Sequence, residues 1–394
     1  MSRSTPRVGP LAGHGHAPPA LDVDGLLDDP ATRIIVCCGS GGVGKTTTSA
    51  ALALRAAERG RKVVVLTIDP ARRLAQSMGI EVLDNVPRPV PGSGTAAGGS
   101  LDAMMLDMKR TFDEVVENQA TPEKAKQILE NPFYIALSSS FAGTQEYMAM
   151  EKLGQLHKDA QRTGRWDLVV VDTPPSRSAL DFLDAPERLS SFLDGRFIRL
   201  LLAPAKGPAR LMTAGLGVVT GALNRILGTH VLRDMQTFVA AFDTLFGGFR
   251  QRAQHTFELL QAPGTAFLVV AAPEPDALRE AAYFVERLSE ERMPLAGLVV
   301  NRASVDPSAG LSAEQAVAAA ERLDAAGEDR PSSEVASGLL RLLAERQRVV
   351  ARETRLRQRF ATAHPEVPTA VVPALSTDVH DLDGLRRIGV LLGG

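Results

Sequence analysis

The sequence predicts an α/β protein in which a mostly parallel β-sheet is covered by helices on both faces and carries a helical insertion. Three observations support this fold class. Short runs that are apolar throughout alternate with helical patterns, as is typical of parallel strands buried on both faces. A glycine-rich turn joins the first of these strands to a helix, and one long region shows helical spacing with no strand. The 394 residues are enough for one large domain with insertions or for two domains.

The first elements follow in a regular order. Residues 1–30 are rich in Pro, Gly and His without periodicity, so they are expected to form a disordered arm ahead of a single domain over residues 31–394. That domain opens with the strand RIIVCC from Arg33, the glycine-rich turn, and an Ala-rich helix that ends near Gly60. A second strand, KVVVLTIDP, an exposed loop at residues 87–100 and a third strand, LDAMMLD, come next.

The remaining strands are separated by predicted helical regions. Residues 109–165 lack strand runs and are predicted to be helical, and the strand WDLVVVDTPP follows them. Residues 176–261 are expected to form the second part of the same helical subdomain. Three further strands, TAFLVVAAPE, LAGLVVNR and PTAVVPAL, then alternate with helices toward the C-terminus.

Charge and cysteine content exclude several classes of function. Lys and Arg total 44 against 46 Asp and Glu, and the net charge of −2 gives no reason to expect nucleic acid as a partner. Cys37 and Cys38 are neighbours, so neither a disulfide nor a zinc-binding CxxC pair is expected. Both cysteines are expected to pack in the core. No run approaches the roughly 18 apolar residues of a spanning helix, and the N-terminus lacks an apolar signal region. A cytoplasmic protein is therefore expected.

The glycine-rich turn has the sequence of a phosphate-binding loop. Residues 39–46, GSGGVGKT, satisfy G-x-x-x-x-G-K-[ST] between a strand and a helix. Glycines allow successive backbone N–H groups to point inward around an anion, and the helix dipole adds its positive end. Lys45 is expected to meet the β- and γ-phosphates, and the Thr46 hydroxyl is expected to bind Mg²⁺. The chain is therefore predicted to be a P-loop NTPase that uses ATP and Mg²⁺.

Two aspartates stand at the ends of predicted strands, where parallel α/β sheets bind their ligands. Asp172 closes the strand VVVD and is the natural second ligand for the metal. Asp69 ends the strand LTID, and with Asp172 assigned to Mg²⁺ it can orient or deprotonate the attacking water. A capping or turn role is the alternative for both residues.

Six segments in order resemble the arsenite-pump ATPase family, which also contains the guided-entry ATPases that deliver tail-anchored membrane proteins. They are GSGGVGKTTTSAALAL, LTIDPARRLAQSMG, VVVDTPPS, FLVVAAPEPDALRE, VVNR and VVPAL. The similarity covers nearly the whole chain after residue 30, and residues 229–253 resemble the bacterial branch. The resemblance implies a P-loop ATPase with a deviant Walker A motif, a first switch around Asp69 and a second around Asp172.

The resemblance also implies a set of site residues. Asp69 matches the family's catalytic aspartate, and Lys45 acts with it. Asn301 falls where the family contacts adenine, and its amide suits a purine edge because it offers both a donor and an acceptor. A turn role remains the alternative for Asn301. The implied nucleotide-binding residues are Gly41, Gly42, Val43, Gly44, Lys45, Thr46, Thr47, Glu274, Asn301, Pro373 and Ala374, and the implied metal ligands are Thr46 and Asp172.

Departures from the family pattern leave the dimer and its cations open. The family's signature lysine is Ser40 here, so a replacement cation could come in cis from Arg177, Arg72 or Arg73. It could also come from a paralogous partner that keeps the lysine, which leaves homodimer and heterodimer both open. The CxxC of the eukaryotic targeting factors is absent, so no zinc is expected.

Three functions stay open at this point. In the first, nucleotide state controls dimer conformation and the binding of a hydrophobic client, for which the apolar stretch at residues 208–228 is a candidate contact. In the second, the chain is the energising subunit of an anion extrusion system. In the third, it is a regulatory ATPase of the partition or septum-site type, for which the last residues, GLRRIGVLLGG, offer only a short candidate membrane helix. The long helical insertion favours the first.

Overall fold

A computed structural model of the chain contains an eight-stranded sheet in the order β3-β4-β2-β5-β1-β6-β7-β8. The strands are β1 Ile34–Cys38, β2 Lys62–Thr67, β3 Arg88–Pro89, β4 Ser100–Met105, β5 Leu168–Asp172, β6 Thr265–Ala271, β7 Leu295–Ala303 and β8 Thr369–Pro373. The structure describes residues 18–69, 73–94, 98–132, 134, 135, 138, 144–174, 248, 251–306, 310–326 and 331–394.

The sheet is parallel except for the pairing of β3 with β4. β1 lies at its centre between β5 and β6, and each of its residues is buried. β3 lies inside the segment predicted as a loop; it was missed because its two residues are exposed and one is a proline, which edge strands tolerate. The predicted fold class, a mostly parallel α/β sheet with helices, is confirmed.

Helices cover both faces of the sheet. They are α1 Val23–Asp28, α2 Lys45–Glu58, α3 Arg73–Ser77, α4 Met108–Gln119, α5 Pro122–Leu129, α6 Thr144–Thr163, α7 Pro275–Glu290, α8 Ala313–Ala325, α9 Pro331–Ala363 and α10 Leu382–Gly393. Alternate residues of β1 enter two separate cores, Ile34 on one face and Ile35 on the other. Cys37 and Cys38 divide in the same way and are fully buried, which agrees with a packing role. No helix in the described ranges is both long and apolar enough to cross a membrane.

The expectation of a disordered arm over residues 1–30 is wrong for residues 18–30. Within them, α1 buries Val23 and Leu27, and Asp24 accepts two hydrogen bonds from Arg55 on α2. The composition of the segment hid this helix, because a six-residue helix is held by tertiary contacts and not by its own propensity. Residues 1–17 lie outside the described residues.

The two parts of the predicted helical subdomain differ in how much of them can be described. The first part, residues 109–165, contains α4 from its second residue onward, α5 and α6, and residues 133, 136, 137 and 139–143 lie outside the described residues. The second, residues 176–261, falls outside the described residues apart from position 248 and the helical residues 251–261.

The C-terminal helix α10 packs on the core. Leu385, Ile388 and Leu392 are buried, and a side chain at Gly389 would meet Arg55 and the carbonyl of Ala51, both on α2. The buried apolar face of this helix is therefore engaged within the fold, which disfavours its use as a membrane anchor.

The topology brings the predicted site residues to one edge of the sheet. The carboxyl ends of parallel strands meet at the same edge of a sheet. At this edge the phosphate loop follows β1 and Asp69 follows β2, while Asp172 ends β5 and Asn301 lies near the end of β7. This edge is where the candidate site lies.

Candidate functional site

The phosphate loop, residues 39–44, owes its shape to two glycines that nothing else could replace. Gly39 has φ +147°, and a Cβ there would lie 2.1 Å from the carbonyl oxygen of Val270. Gly44 has φ +93°, and a Cβ there would lie 2.2 Å from Nδ2 of Asn301. Gly44 is also the N-cap of α2, and no described side chain caps that end. The first N–H groups of α2 are therefore available to an anion.

Lys45 lies buried at the start of α2. Its ammonium Nζ donates a 2.7 Å hydrogen bond to the backbone oxygen of Ser40, across the loop. Burial lowers the pKa of Lys45, while the nearby carboxylates of Asp172 and Asp69 oppose that shift. An ammonium group with so little solvent is best stabilised by a further anion, and a phosphate on the loop would supply one.

Asp172, at the end of β5, is the most buried acid of the site. Its Oδ2 accepts 2.8 Å hydrogen bonds from the hydroxyls of Thr46 and Thr67. Its Oδ1 is buried and has no hydrogen-bond partner within the described residues. Burial raises the pKa of this carboxyl from 3.8 to about 6, against the two hydroxyl donors and Lys45, which lower it. A buried carboxylate oxygen without a partner is costly, so a cation at this position would relieve it.

Asp69 is connected to Asp172 through Thr67. The backbone N–H of Asp69 donates to Oγ1 of Thr67 at 3.2 Å, and the same hydroxyl donates to Asp172. Asp69 is partly exposed and lines a cavity together with Lys45. The two strand-end acids are therefore held in one network, one fully buried and the other on the cavity wall.

A further wall of the cavity is formed by the ends of β7 and β8. Asn301 is buried, and its Nδ2 donates a 2.9 Å hydrogen bond to the backbone oxygen of Val43. Pro373, Ala374 and Leu375 continue from β8 along the same wall, and the N–H of Ala374 donates to the carbonyl of Ala303 at 2.9 Å. The whole cavity measures about 640 Å³.

The structure brings most of the predicted site residues to this cavity. Its lining includes Gly42, Gly44, Lys45, Thr46, Thr47, Asp69, Asn301, Pro373 and Ala374. Gly41 and Val43 belong to the loop but are not among the lining residues, and Asp172 stands behind Thr46. Glu274 is exposed at the N-cap of α7 and lies outside the lining, so its predicted contact with nucleotide has no support from the cavity.

The candidate cations have separate outcomes. Arg73 lines the cavity, whereas Arg72 and Arg177 lie outside the described residues. Sequence reasoning missed Arg302, which also lines the cavity and donates to the carbonyl of Gly42 at 3.0 Å. It missed Thr67 as well, although a threonine that ends an apolar strand next to Asp69 was a usable signal.

The raised pKa of Asp172 predicts an unusual pH dependence of stability for the metal-free protein. The folded carboxyl holds its proton to about pH 6 and the unfolded one only to about 3.8, so the folded state binds more protons between these values. Stability from this group therefore falls as pH rises through that window and stays low above it. At about 1.4 kcal/mol per pKa unit, the effect is on the order of 3 kcal/mol.

Asp172→Asn is accordingly expected to raise the urea midpoint of the metal-free protein at pH 7, with a smaller gain at pH 4.5. Asp378→Asn, which changes an exposed carboxylate, is the control and is expected to show no such gain. A wild-type midpoint that rises between pH 4.5 and 7 relative to Asp172→Asn would contradict the prediction.

The chain is similar in sequence to known proteins. A family model described as "Anion-transporting ATPase" matches residues 32–319, which include the phosphate loop, both aspartates and Asn301. The chain is 25% identical over 289 residues to the "ATPase get3" of Schizosaccharomyces japonicus, covering 72% of this chain and 79% of that protein.

Two further relatives align over shorter stretches. The "ATPase GET3" of Malassezia globosa is 31% identical over 176 residues, 45% of this chain and 48% of that protein. The "Arsenical pump-driving ATPase" of Acidiphilium multivorum is 31% identical over 158 residues, 40% of this chain and 26% of that protein. The aligned stretch thus covers about half the length of the Malassezia globosa protein and about a quarter of the length of the Acidiphilium multivorum protein.

Proposed function

The chain belongs to the anion-transporting ATPase family and is an ATP-hydrolysing enzyme, and on that premise we propose that its cavity binds ATP with Mg²⁺ and that Asp69 positions the attacking water. The observation that carries the proposal is the buried carboxylate of Asp172. It is held by the hydroxyl that follows the loop lysine, and its second oxygen has no partner among the described residues.

The residues at Asp172 fit a magnesium ion. Mg²⁺ prefers oxygen ligands and is usually held by one or two protein oxygens, with water and phosphate completing its shell. The Thr46 hydroxyl and the Asp172 carboxylate lie 2.8 Å apart, which places two such oxygens side by side at the start of α2. In the proposed site the Thr46 hydroxyl and the Asp172 carboxylate would hold the ion.

The loop and Lys45 bind the triphosphate. When bound, Mg·ATP supplies the transferable γ-phosphoryl group with part of its negative charge neutralised. The N–H groups at the start of α2 receive the phosphate oxygens, and Lys45 exchanges its hydrogen bond to Ser40 for one to phosphate. Asn301 and the segment 373–375 hold the base at the other end of the cavity.

Asp69 acts on the water. Asp69 lies just beyond the end of β2 and lines the same cavity as Lys45 and the phosphate loop. Its backbone N–H donates to the Thr67 hydroxyl, which donates to Asp172, so the hydrogen bonds of Thr67 connect the backbone of Asp69 to the buried carboxylate. Asp69 accepts a hydrogen bond from the water and receives its proton as the phosphoryl group is attacked.

The magnesium shell is tested by Thr46→Val, which removes the hydroxyl and keeps the shape of the side chain. Calorimetric titration with ATP, with and without Mg²⁺, is expected to show that the metal's gain in affinity falls about tenfold in this variant. Ser49→Ala is the matched control, because Ser49 is buried on the same helix and its hydroxyl donates to the carbonyl of Lys45, away from Asp172. An unchanged metal effect in Thr46→Val would remove Thr46 from the shell.

For the biological role, we propose that nucleotide state controls dimer conformation and the binding of a hydrophobic membrane-protein client. This choice over an anion extrusion subunit rests on the resemblance to the guided-entry ATPases and on the long helical insertion predicted from the sequence. The relative "ATPase get3" aligns along 72% of the chain, against 40% for the arsenical pump relative. The packing of α10 on α2 disfavours a partition-type regulator with a free C-terminal membrane helix.

The client role is tested with a fluorescent peptide that carries one apolar helix. ATP-loaded protein is expected to bind it at least about tenfold more tightly than ADP-loaded protein, since a ligand shifts a conformational equilibrium only by its differential affinity. An arsenite-stimulated ATPase rate with no nucleotide-dependent peptide binding would instead support the extrusion role.

A further inference from the structure

The end of β7 contains a β-bulge beside the phosphate loop. Val300 pairs with Val371 and Ala303 pairs with Pro373, so three steps along β7 oppose two steps along β8. Between these two pairs, β7 has two residues, Asn301 and Arg302, whereas β8 has only Val372. Bulges of this kind bend a strand locally and redirect side chains, and they are frequent beside active sites.

The bulge lets two consecutive side chains reach the same loop. In a regular strand, neighbouring side chains point to opposite faces. Here Asn301 Nδ2 donates to the carbonyl of Val43 at 2.9 Å, and Arg302 Nη1 donates to the carbonyl of Gly42 at 3.0 Å. Two successive peptide groups of the phosphate loop therefore receive donors from two successive residues of β7.

Arg302 adopts a strained backbone conformation to make this contact. It has φ +59°, and among the described residues only Arg292 shares a positive φ without being glycine. Arg292 follows the end of α7, where the N–H of Met293 bonds to the carbonyl of Leu288, an arrangement that commonly places a residue in the left-handed region. Arg302 lies inside a strand, where no such helix-end motif accounts for it, and strained residues of this kind cluster at ligand sites.

The contact acts on the loop's capacity to bind an anion. The C=O of Gly42 and the N–H of Val43 belong to one planar peptide group and point in opposite directions. A charged donor on that carbonyl fixes the plane of the peptide and polarises its N–H, which becomes a stronger donor to an anion. Arg302 also lines the cavity, and its guanidinium on the carbonyl of Gly42 adds positive charge beside the loop.

We propose that Arg302 is a positioning residue for the nucleotide phosphates, acting through the Gly42–Val43 peptide. This inference rests on the proposed ATP site. It adds a residue that strengthens binding of the nucleotide's phosphate groups and does not contribute to binding of its base. It also supplies a cation in cis beside a loop that carries Ser40 and no second lysine.

The test uses Arg302→Gly, because glycine keeps the left-handed backbone without strain and removes only the side chain. Arg292→Gly makes the same chemical change at the other left-handed arginine, far from the cavity lining. Affinities for ATP, ADP and adenosine are measured by calorimetry, and stability is measured by urea unfolding. In Arg302→Gly, ATP and ADP are expected to bind about tenfold more weakly with adenosine unchanged, and the urea midpoint is expected not to fall. Arg292→Gly is expected to match the wild type in all three affinities.

Two results would overturn the proposal. An equal loss for adenosine, ADP and ATP would assign Arg302 to the base or to general folding, and unchanged affinity for all three would leave it no role in binding. Both results can be distinguished from failure of the proposed ATP site itself. In that case the wild-type protein would bind neither ATP nor ADP, and the proposal for Arg302 would also be wrong.

Discussion

Replacing Lys45 with alanine is expected to lower ATP affinity by about a hundredfold or more and to abolish measurable hydrolysis. The ammonium is buried in the loop, and its hydrogen bond to the carbonyl of Ser40 is the contact that phosphate would replace. A charged donor to a phosphate oxygen in a site with little water is among the strongest single contacts a protein offers. Titration with a fluorescent ATP analogue measures the loss directly.

Lys62→Ala is the control for that experiment. Lys62 begins β2, at the opposite edge of the sheet from Asp69, and it is exposed. Removing this charge is expected to leave ATP affinity unchanged. If both lysine variants bound ATP as tightly as the wild type, the phosphate loop would not be the site of the triphosphate.

Asp69→Asn is expected to keep ATP affinity and to reduce turnover by about a hundredfold or more. An amide oxygen still accepts a hydrogen bond from water, but it is a far weaker base than a carboxylate. The asparagine also keeps the backbone N–H that donates to Thr67, so the network around Asp172 is preserved. Single-turnover hydrolysis, together with equilibrium binding, separates chemistry from affinity.

The matched control is Asp276→Asn, since Asp276 lies in the first turn of α7 after β6, exposed and outside the cavity lining. Its turnover is expected to equal that of the wild type. Unchanged turnover in Asp69→Asn would remove Asp69 from the reaction, and a loss of ATP binding there would make it a binding residue.

The sheet could be predicted because its strands are buried on both faces. β1, β2, β5 and β6 are continuous apolar runs, and such runs have few alternatives to a parallel sheet. α1 could not be predicted, because its stability comes from Leu27 in the core and from the ion pair of Asp24 with Arg55, contacts that join distant parts of the chain. Local patterns do not encode such contacts.

The same limit applies to the candidate site. The phosphate loop could be predicted from one motif, and Asp69 and Asp172 from their positions at the ends of apolar strands. In the structure, residues of the loop and Asp69 line the cavity, and Asp172 lies behind Thr46. Arg302 reaches the loop only because β7 and β8 pair with an extra residue, and that register is a property of two strands and not of one. Glu274 also follows a strand, and the family resemblance implied a nucleotide contact for it. In the structure it is exposed and lies outside the cavity lining, so position after a strand is not sufficient to place a residue in the cavity.

A crystal structure with Mg²⁺ and a non-hydrolysable ATP analogue would show where the triphosphate, the metal and the base bind. We expect the triphosphate on residues 39–46, the metal at Thr46 on the side of Asp172, and the base between Asn301 and residues 373–375. A nucleotide bound away from the loop, or a metal bound without either Thr46 or Asp172 in its first or second shell of ligands, would contradict this expectation.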